Sequence, residues 1–276
     1  MEYILRYPNG TAKALTFSYD DGCQTDKRLA DILNEYGMKC TFNIMSMLFD
    51  LPEDHVKVRM NVVKEALIGS NHEVACHGYN HPHMEKISFT EMLSETLEDR
   101  RRLEREFGVI VRGMAYPYGS YNDQVVEAIK TCGICYSRTC HQTDSFNPYP
   151  DWLRWKPTTH HNGNIDGLAD KFLAKVVKNE DDPLLFYVWG HTFEFEPNMD
   201  NNWDRIENFA KKMGNREDVW YCTNIEYYDY VQCFNSLQFS VDANMISNPT
   251  ATDVWISIAG VEAPVKIPAG GVWRNE

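Results

Sequence analysis

The sequence predicts an α/β fold on a parallel sheet that closes, or nearly closes, into a barrel. Apolar, strand-like runs alternate with stretches of helical period, and glycines or polar turn residues separate them. The alternation yields seven strands, and at 276 residues that count favours a barrel over an open sheet. An apolar fraction of 43%, with 13% aromatics, is ample for a large core.

The elements follow in order. Ala14–Tyr19 is a β-prone run, and Leu29, Ile32, Leu33 and Tyr36 recur at helical spacing before Gly37. Lys39–Ile44 reads as the second strand, Lys57–Ile68 as a helix stopped by Gly69, and Glu73–Cys76 as a short third strand. Ser88 with Glu91 forms a capping box ahead of a charged helix that runs to Phe107. Its Arg100-Arg101-Arg102 run lies among Glu98, Asp99 and Glu104 and reads as a solvated face. Val111–Tyr116, a helix over Asp123–Thr131, and Ile134–Thr139 continue the pattern. His141–Asn164 then has no period and is rich in Pro, Asn, Trp and His, which suits a functional loop whose aromatics stack on sugar rings. Helix Ile165–Lys178, strand Leu184–Trp189, helix Asn202–Lys212, strand Val219–Thr223 and helix Ile225–Cys233 complete the barrel units. From Leu237 short alternating strands (Leu237–Val241, Val254–Ile258, Ala263–Ile267) separated by turns predict a small β appendage. The expected division is 1–235 for the barrel and 236–276 for the appendage.

A net charge of −13 excludes nucleic acid and anionic membrane as natural partners, since both require a basic face. No apolar run approaches the length of a membrane span, and the amino terminus lacks a charged-then-apolar leader pattern, so a cytoplasmic location is expected. Eight cysteines scattered through a chain of this size read as reduced thiols; Cys132 and Cys135 have knuckle spacing, but no second pair completes a zinc ribbon.

In a parallel α/β barrel, functional side chains sit at the carboxyl ends of strands. Strand one ends in Asp20-Asp21-Gly22, where two neighbouring carboxylates can address one site only if the backbone turns, as Gly22 permits. Strand three runs into His77-Gly78-Tyr79-Asn80-His81. The four-residue spacing places both imidazoles on one face of a helical turn, within reach of one divalent cation, and Asp20 or Asp21 can supply the third ligand. Strand four runs into Tyr116-Pro117-Tyr118-Gly119, and strand six into Trp189-Gly190-His191.

Tyr19-Asp20-Asp21-Gly22, His77-x-x-x-His81-Pro82, Tyr116-Pro117-Tyr118-Gly119-x-Tyr121 and the strand-end His191 resemble, in order and approximate spacing, the motifs of the metal-dependent polysaccharide deacetylases (carbohydrate esterase family four, the NodB homology domain). The resemblance spans roughly residues 10 to 232 and implies a distorted seven-stranded (β/α) barrel, here with the small C-terminal β appendage. By resemblance Asp20 is the general base; Asp21, His77 and His81 hold the metal; His191 is the general acid; and the backbone N–H of Tyr118 helps to hold the oxyanion. Zinc is the expected metal, with cobalt, nickel or iron also compatible with mixed nitrogen and oxygen ligands. The expected substrate is an acetylated oligo- or polysaccharide, with Tyr118, Asp151, Trp152 and Trp189 as candidate sugar contacts.

The sequence also departs from the family pattern. Where the family has an arginine that orients the catalytic Asp, this chain has Ala115; Arg138, at the end of the fifth strand, is the first candidate to replace it, whereas Arg112 lies too early on its strand. The family's Asp partner for the acid corresponds either to Asp151, beside Trp152, or to Asp144. Two other readings fit parts of the pattern. A non-catalytic carbohydrate-binding protein on a decayed scaffold would explain Ala115 and the aromatic loop, and a ferrous oxygenase would also use two His and a carboxylate.

Overall fold

The computed structural model describes residues 3–52, 60–200, 202–242 and 244–275. β1 (Tyr3–Arg6) leads into β2 (Lys13–Asp21), the longest strand. α1 (Asp26–Glu35), β3 (Thr41–Ile44), α2 (Met60–Leu67), β4 (Glu73–Cys76), α3 (Phe89–Phe107), β5 (Gly113–Ala115), α4 (Asp123–Thr131) and β6 (Tyr136–Arg138) follow as alternating units. β7 (Thr159–His160), α5 (Ile165–Ala174), β8 (Leu184–His191), α6 (Trp203–Met213), β9 (Trp220–Tyr221) and α7 (Asn224–Asn235) complete the barrel region. The first residues of the expected second helix, Lys57 to Arg59, lie outside the described residues.

The sheet is parallel, in the order β6-β5-β4-β3-β2-β8-β7, and it curls until its edges nearly meet. Trp155 spans the gap: its N–H donates to Ser137 O (2.9 Å) and its carbonyl accepts from Thr139 N–H (2.9 Å). β2 is buried from Lys13 to Asp20, with Leu15, Phe17 and Tyr19 in the core and the polar Thr16, Ser18 and Asp20 alternating with them. The expected strand number is met, but by a different seventh member. Thr159–His160, inside the stretch read as an irregular loop, pairs with β8; Val219–Thr223 shrinks to two residues that pair only with Ala14 and Leu15 of β2, off the main path. A two-residue strand has no period to read, which is why the sequence does not reveal β7.

α7 plugs the end of the barrel opposite the site. Thr223 caps it in a capping box with Glu226, and Asn224 N–H donates to Thr41 Oγ1 (2.9 Å). Buried Glu73 accepts from Tyr136 Oη (2.6 Å), Thr41 Oγ1 (2.7 Å) and Ile225 N–H (2.9 Å), so every donor that faces it there is paired. Beyond α7 come β10 (Gln238–Phe239), β11 (Met245–Ser247), β12 (Val254–Ile258), β13 (Val265–Ile267) and β14 (Val272–Arg274). They form two small sheets over a core that includes Ile246, Val254, Ile256 and Ile267. The amino-terminal β1 belongs to one of these sheets, antiparallel to β12, so the beginning of the chain is built into the tail. Tyr230 of α7 joins tail to barrel, donating its hydroxyl to Arg6 O (2.8 Å) and accepting from Trp255 N–H (3.0 Å).

No disulfide joins any of the eight cysteines. Cys132 is buried and directs its thiol at Leu93 O, and neither it nor Cys135 belongs to a metal-competent cluster among the described residues. The arginine run on α3 is an exposed or half-exposed face tied to acidic neighbours, with Arg100 on Glu104, Arg101 on Glu98 and Arg102 on Glu106.

Candidate active site

The carboxyl ends of β2, β3, β4, β6 and β8 converge on one hollow. Asp20 is 2% exposed and sits in register between Asn43 of β3 and His191 of β8. Asp21 has φ 80° and Gly22 φ 79°, so the turn that brings both carboxylates to one site begins at Asp21 itself. At Gly22 a Cβ would lie 2.9 Å from Ile44 Cγ2, which, with its positive φ, explains the glycine.

His77 and His81 do converge, though not on a helical turn. Gly78 (φ 75°) and His81 (φ 53°) reverse the chain, and the Nε2 atoms finish 3.1 Å apart. Asp21 Oδ1 is 3.4 Å from His77 Nε2 and 3.6 Å from His81 Nε2, and it is buried without a hydrogen-bond partner. A cation held at about 2.1 Å by tetrahedrally disposed ligands separates them by about 3.4 Å, so the three atoms fit a divalent metal. The electrostatics agree. Burial opposes charge on Asp21, but His77 and the other imidazoles hold its pKa at about 2; burial and the charge of His77 push His81 down to about 4, which leaves its ring neutral and able to ligate. His77 Nδ1 lies 2.9 Å from Ala115 O, the second partner that fixes which nitrogen faces the metal position.

Asp20 is held from three sides. Asn43 Nδ2 donates to its Oδ1 (2.9 Å), Arg138 Nη2 pairs with Oδ2, and the Nε2 atoms of His77 and His191 each lie 3.9 Å from that same Oδ2. Arg138 is fully buried, donates through Nε to Ser18 Oγ (3.2 Å) and lies 4.4 Å from the Trp189 ring centre. Its register partner on β5 is Ala115, so the guanidinium reaches Asp20 from one strand over. Arg112 is elsewhere, paired with Asp229.

Tyr118 also has positive φ (58°) and is 59% exposed, stacked on His83 (4.0 Å, 17°) and edge-on to His81 (4.4 Å) at the rim of the hollow. Trp189 is buried in the floor between Arg138 and His160. Two expected residues do not reach the site. Asp151 is exposed and pairs with Arg154; Trp152 packs against Trp155 and Tyr228 in a separate aromatic cluster at the α7 side. Asp144 is exposed as well, with φ 49° and its N–H on Thr158 O. The carboxylate beside His191 is Glu194, whose Oε2 is 3.3 Å from Nδ1 and also close to His160 and His161. The family pattern does not point to Glu194; its signal in the sequence is His191-x-x-Glu194, the spacing of a capping box, with the His160-His161 pair within the aperiodic stretch.

Residues 7–137 match the family model for polysaccharide deacetylase. Over 121 residues, 43% of this chain, the sequence is 27% identical to the peptidoglycan-N-acetylglucosamine deacetylase PgdA of Listeria monocytogenes; the match covers 24% of that protein, so the chain spans about a quarter of the curated relatives it resembles. Among solved structures, a protein of Mycobacterium smegmatis assigned to the polysaccharide deacetylases superposes with TM-score 0.59 at 15% identity, over 84% of this chain and 94% of that one. A mutant of the Bacillus subtilis peptidoglycan deacetylase PdaC gives 0.53 at 17%, over 83% and 96%. BA3943 of Bacillus anthracis, a pseudoenzyme of carbohydrate esterase family four, gives 0.52 at 18%, over 81% and 67%. These structures establish the fold.

Proposed function

We propose that this chain, whose residues 7–137 match the family model for polysaccharide deacetylase, is a metal-dependent hydrolase that removes acetyl groups from a carbohydrate. Asp21, His77 and His81 would hold the cation, whose contribution when bound is to polarise an acetyl carbonyl and acidify water. Asp20 takes the proton of the attacking water, and Arg138 and Asn43 hold its carboxylate for that step. His191 gives a proton to the departing amine or alkoxide, and the exposed turn at Tyr118 offers its backbone N–H to the developing oxyanion. Tyr118 and Trp189 are the sugar contacts retained; Asp151 and Trp152 are not.

One observation carries this reading: His77 and His191 each stand 3.9 Å from a single oxygen of Asp20, so a base lies between the metal ligands and the acid. The likeness to BA3943 keeps the non-catalytic carbohydrate-binding reading as the alternative. Release of acetate from N-acetylglucosamine glycans and O-acetylated xylans, by zinc- or cobalt-loaded protein, separates the two. Oligosaccharide binding without acetate release from any of these would overturn the enzyme reading.

A further inference from the structure

We propose that Glu194 is the carboxylate that positions His191, and that His160 and His161 in turn fix Glu194. The inference deepens the reading of His191 as proton donor and rests on it. Three imidazoles stand within ion-pair distance of Glu194 Oε2, His161 Nε2 at 3.1 Å, His160 Nε2 at 3.2 Å and His191 Nδ1 at 3.3 Å; the oxygen accepts a hydrogen bond from the His191 backbone N–H (3.1 Å), and the buried His191 Nδ1 and His161 Nε2 have no other hydrogen-bond partner among the described residues, so Glu194 is the acceptor beside both. With Nδ1 turned to Glu194, the nitrogen of His191 that faces Asp20 is Nε2, so Nε2 delivers the proton. Glu194 thus supplies what an Asp on another loop was expected to supply.

The cluster is built rather than incidental. His161 is 1% exposed, lies flat on Tyr19 (5.6 Å, 10°) and against Phe195 (4.3 Å, 30°), and occupies space that only Gly190 leaves open, since a Cβ there would be 1.9 Å from its Nδ1. His160, Glu194 and His161 also have the spacing of a second cation site. The chemistry of His160 argues against that use. Asn162 N–H donates to its Nδ1 (3.1 Å), so the neutral ring carries its proton on Nε2, directed at Glu194, where a ligand would need a lone pair.

The charged groups that face His191 are Asp20 and Asp21 from β2 and Glu194 from its own segment, with the His160 ring 6.3 Å away on β7; Glu194 faces the three imidazoles. Burial works against charge on both partners. Even so, the three facing imidazoles hold Glu194 well below the ordinary carboxylate range, and Glu194 with Asp20 and Asp21 raises His191.

The test compares metal-loaded wild type with Glu194→Gln, Glu194→Asp, His160→Gln and Asp151→Asn, by acetate release and by ¹⁵N NMR of the His191 ring. Glu194→Gln is expected to lower kcat by about 10²-fold with KM within about threefold, to keep one zinc per chain, and to lose the Nδ1–H signature of His191. Glu194→Asp should recover part of the rate, and His160→Gln, in which the amide still donates, should lose less than about tenfold. Asp151→Asn should match wild type. A kcat within about threefold of wild type in Glu194→Gln, an unchanged ring signature, or a second zinc lost with Glu194 would each overturn the proposal. If wild type releases no acetate from any glycan, the deacetylase reading fails, while the NMR comparison still decides whether Glu194 sets the state of His191.

Discussion

Replacing Arg138 with Met tests the arginine that stands in for the one missing at Ala115. The substitution keeps apolar volume but leaves Asp20, 2% exposed, with Asn43 Nδ2 as its close donor and no guanidinium. Breaking one side of a buried ion pair costs about 3–5 kcal/mol, because the remaining charge stays desolvated. Loss of the guanidinium over Trp189 adds about 1 kcal/mol. With a urea slope of about 3 kcal/mol/M, the unfolding midpoint should fall by about 1–2 M. Turnover should drop by about 10²–10⁴-fold, since the base loses the group that fixes its orientation. Arg138→Lys should recover much of the stability and little of the rate, because an ammonium cannot reach Asp20 Oδ2 and Ser18 Oγ with one planar fork. Urea titration followed by fluorescence, paired with acetate release at saturating zinc, measures both effects. A midpoint shift below about 0.3 M together with turnover within about threefold of wild type would show that Arg138 neither supports the fold nor orients Asp20.

Asp20→Asn should retain bound zinc, measured by elemental analysis, and lose acetate release by at least about 10²-fold; intact turnover would remove Asp20 as the base. Chelator should abolish acetate release and added zinc or cobalt restore it, while His77→Ala should bind no stoichiometric metal at all. Gly190→Ala drives a methyl against His161 and should cost about 1–3 kcal/mol in thermal or urea unfolding; a neutral result would mean that His161 is free to move. Burial raises Glu73 from 4.5 to about 7 despite its three donors. Between those values the folded state binds a proton that the unfolded chain has released, so this contribution is complete at low pH and is lost as pH rises through 7. From pH 5 to 8, wild type should lose about 2–3 kcal/mol relative to Glu73→Gln; a stability difference independent of pH would refute the assignment.

Sequence alone determined whatever depends on local pattern. The capping box at Ser88, the helix Asp123–Thr131 and the strand Glu73–Cys76 were legible because period and caps act within a few residues. Strand-end logic also gathered Asp20, Asp21, His77, His81 and His191, since in a parallel sheet every strand delivers its last residues to the same rim. It even nominated Arg138. What puts that guanidinium on Asp20, however, is the register of β6 against β5 and the curl of the sheet, which are long-range pairings without a local signature. Tertiary structure alone decided the rest. Asp151 and Trp152 matched the family's letters but went to another face with the α7 aromatics, and Glu194 took the place beside His191 because the chain turns sharply after β8 and β7 brings His160 and His161 to meet it. Residue identity specifies which chemistry a side chain can do; only the closing of the sheet decides which side chains share a site.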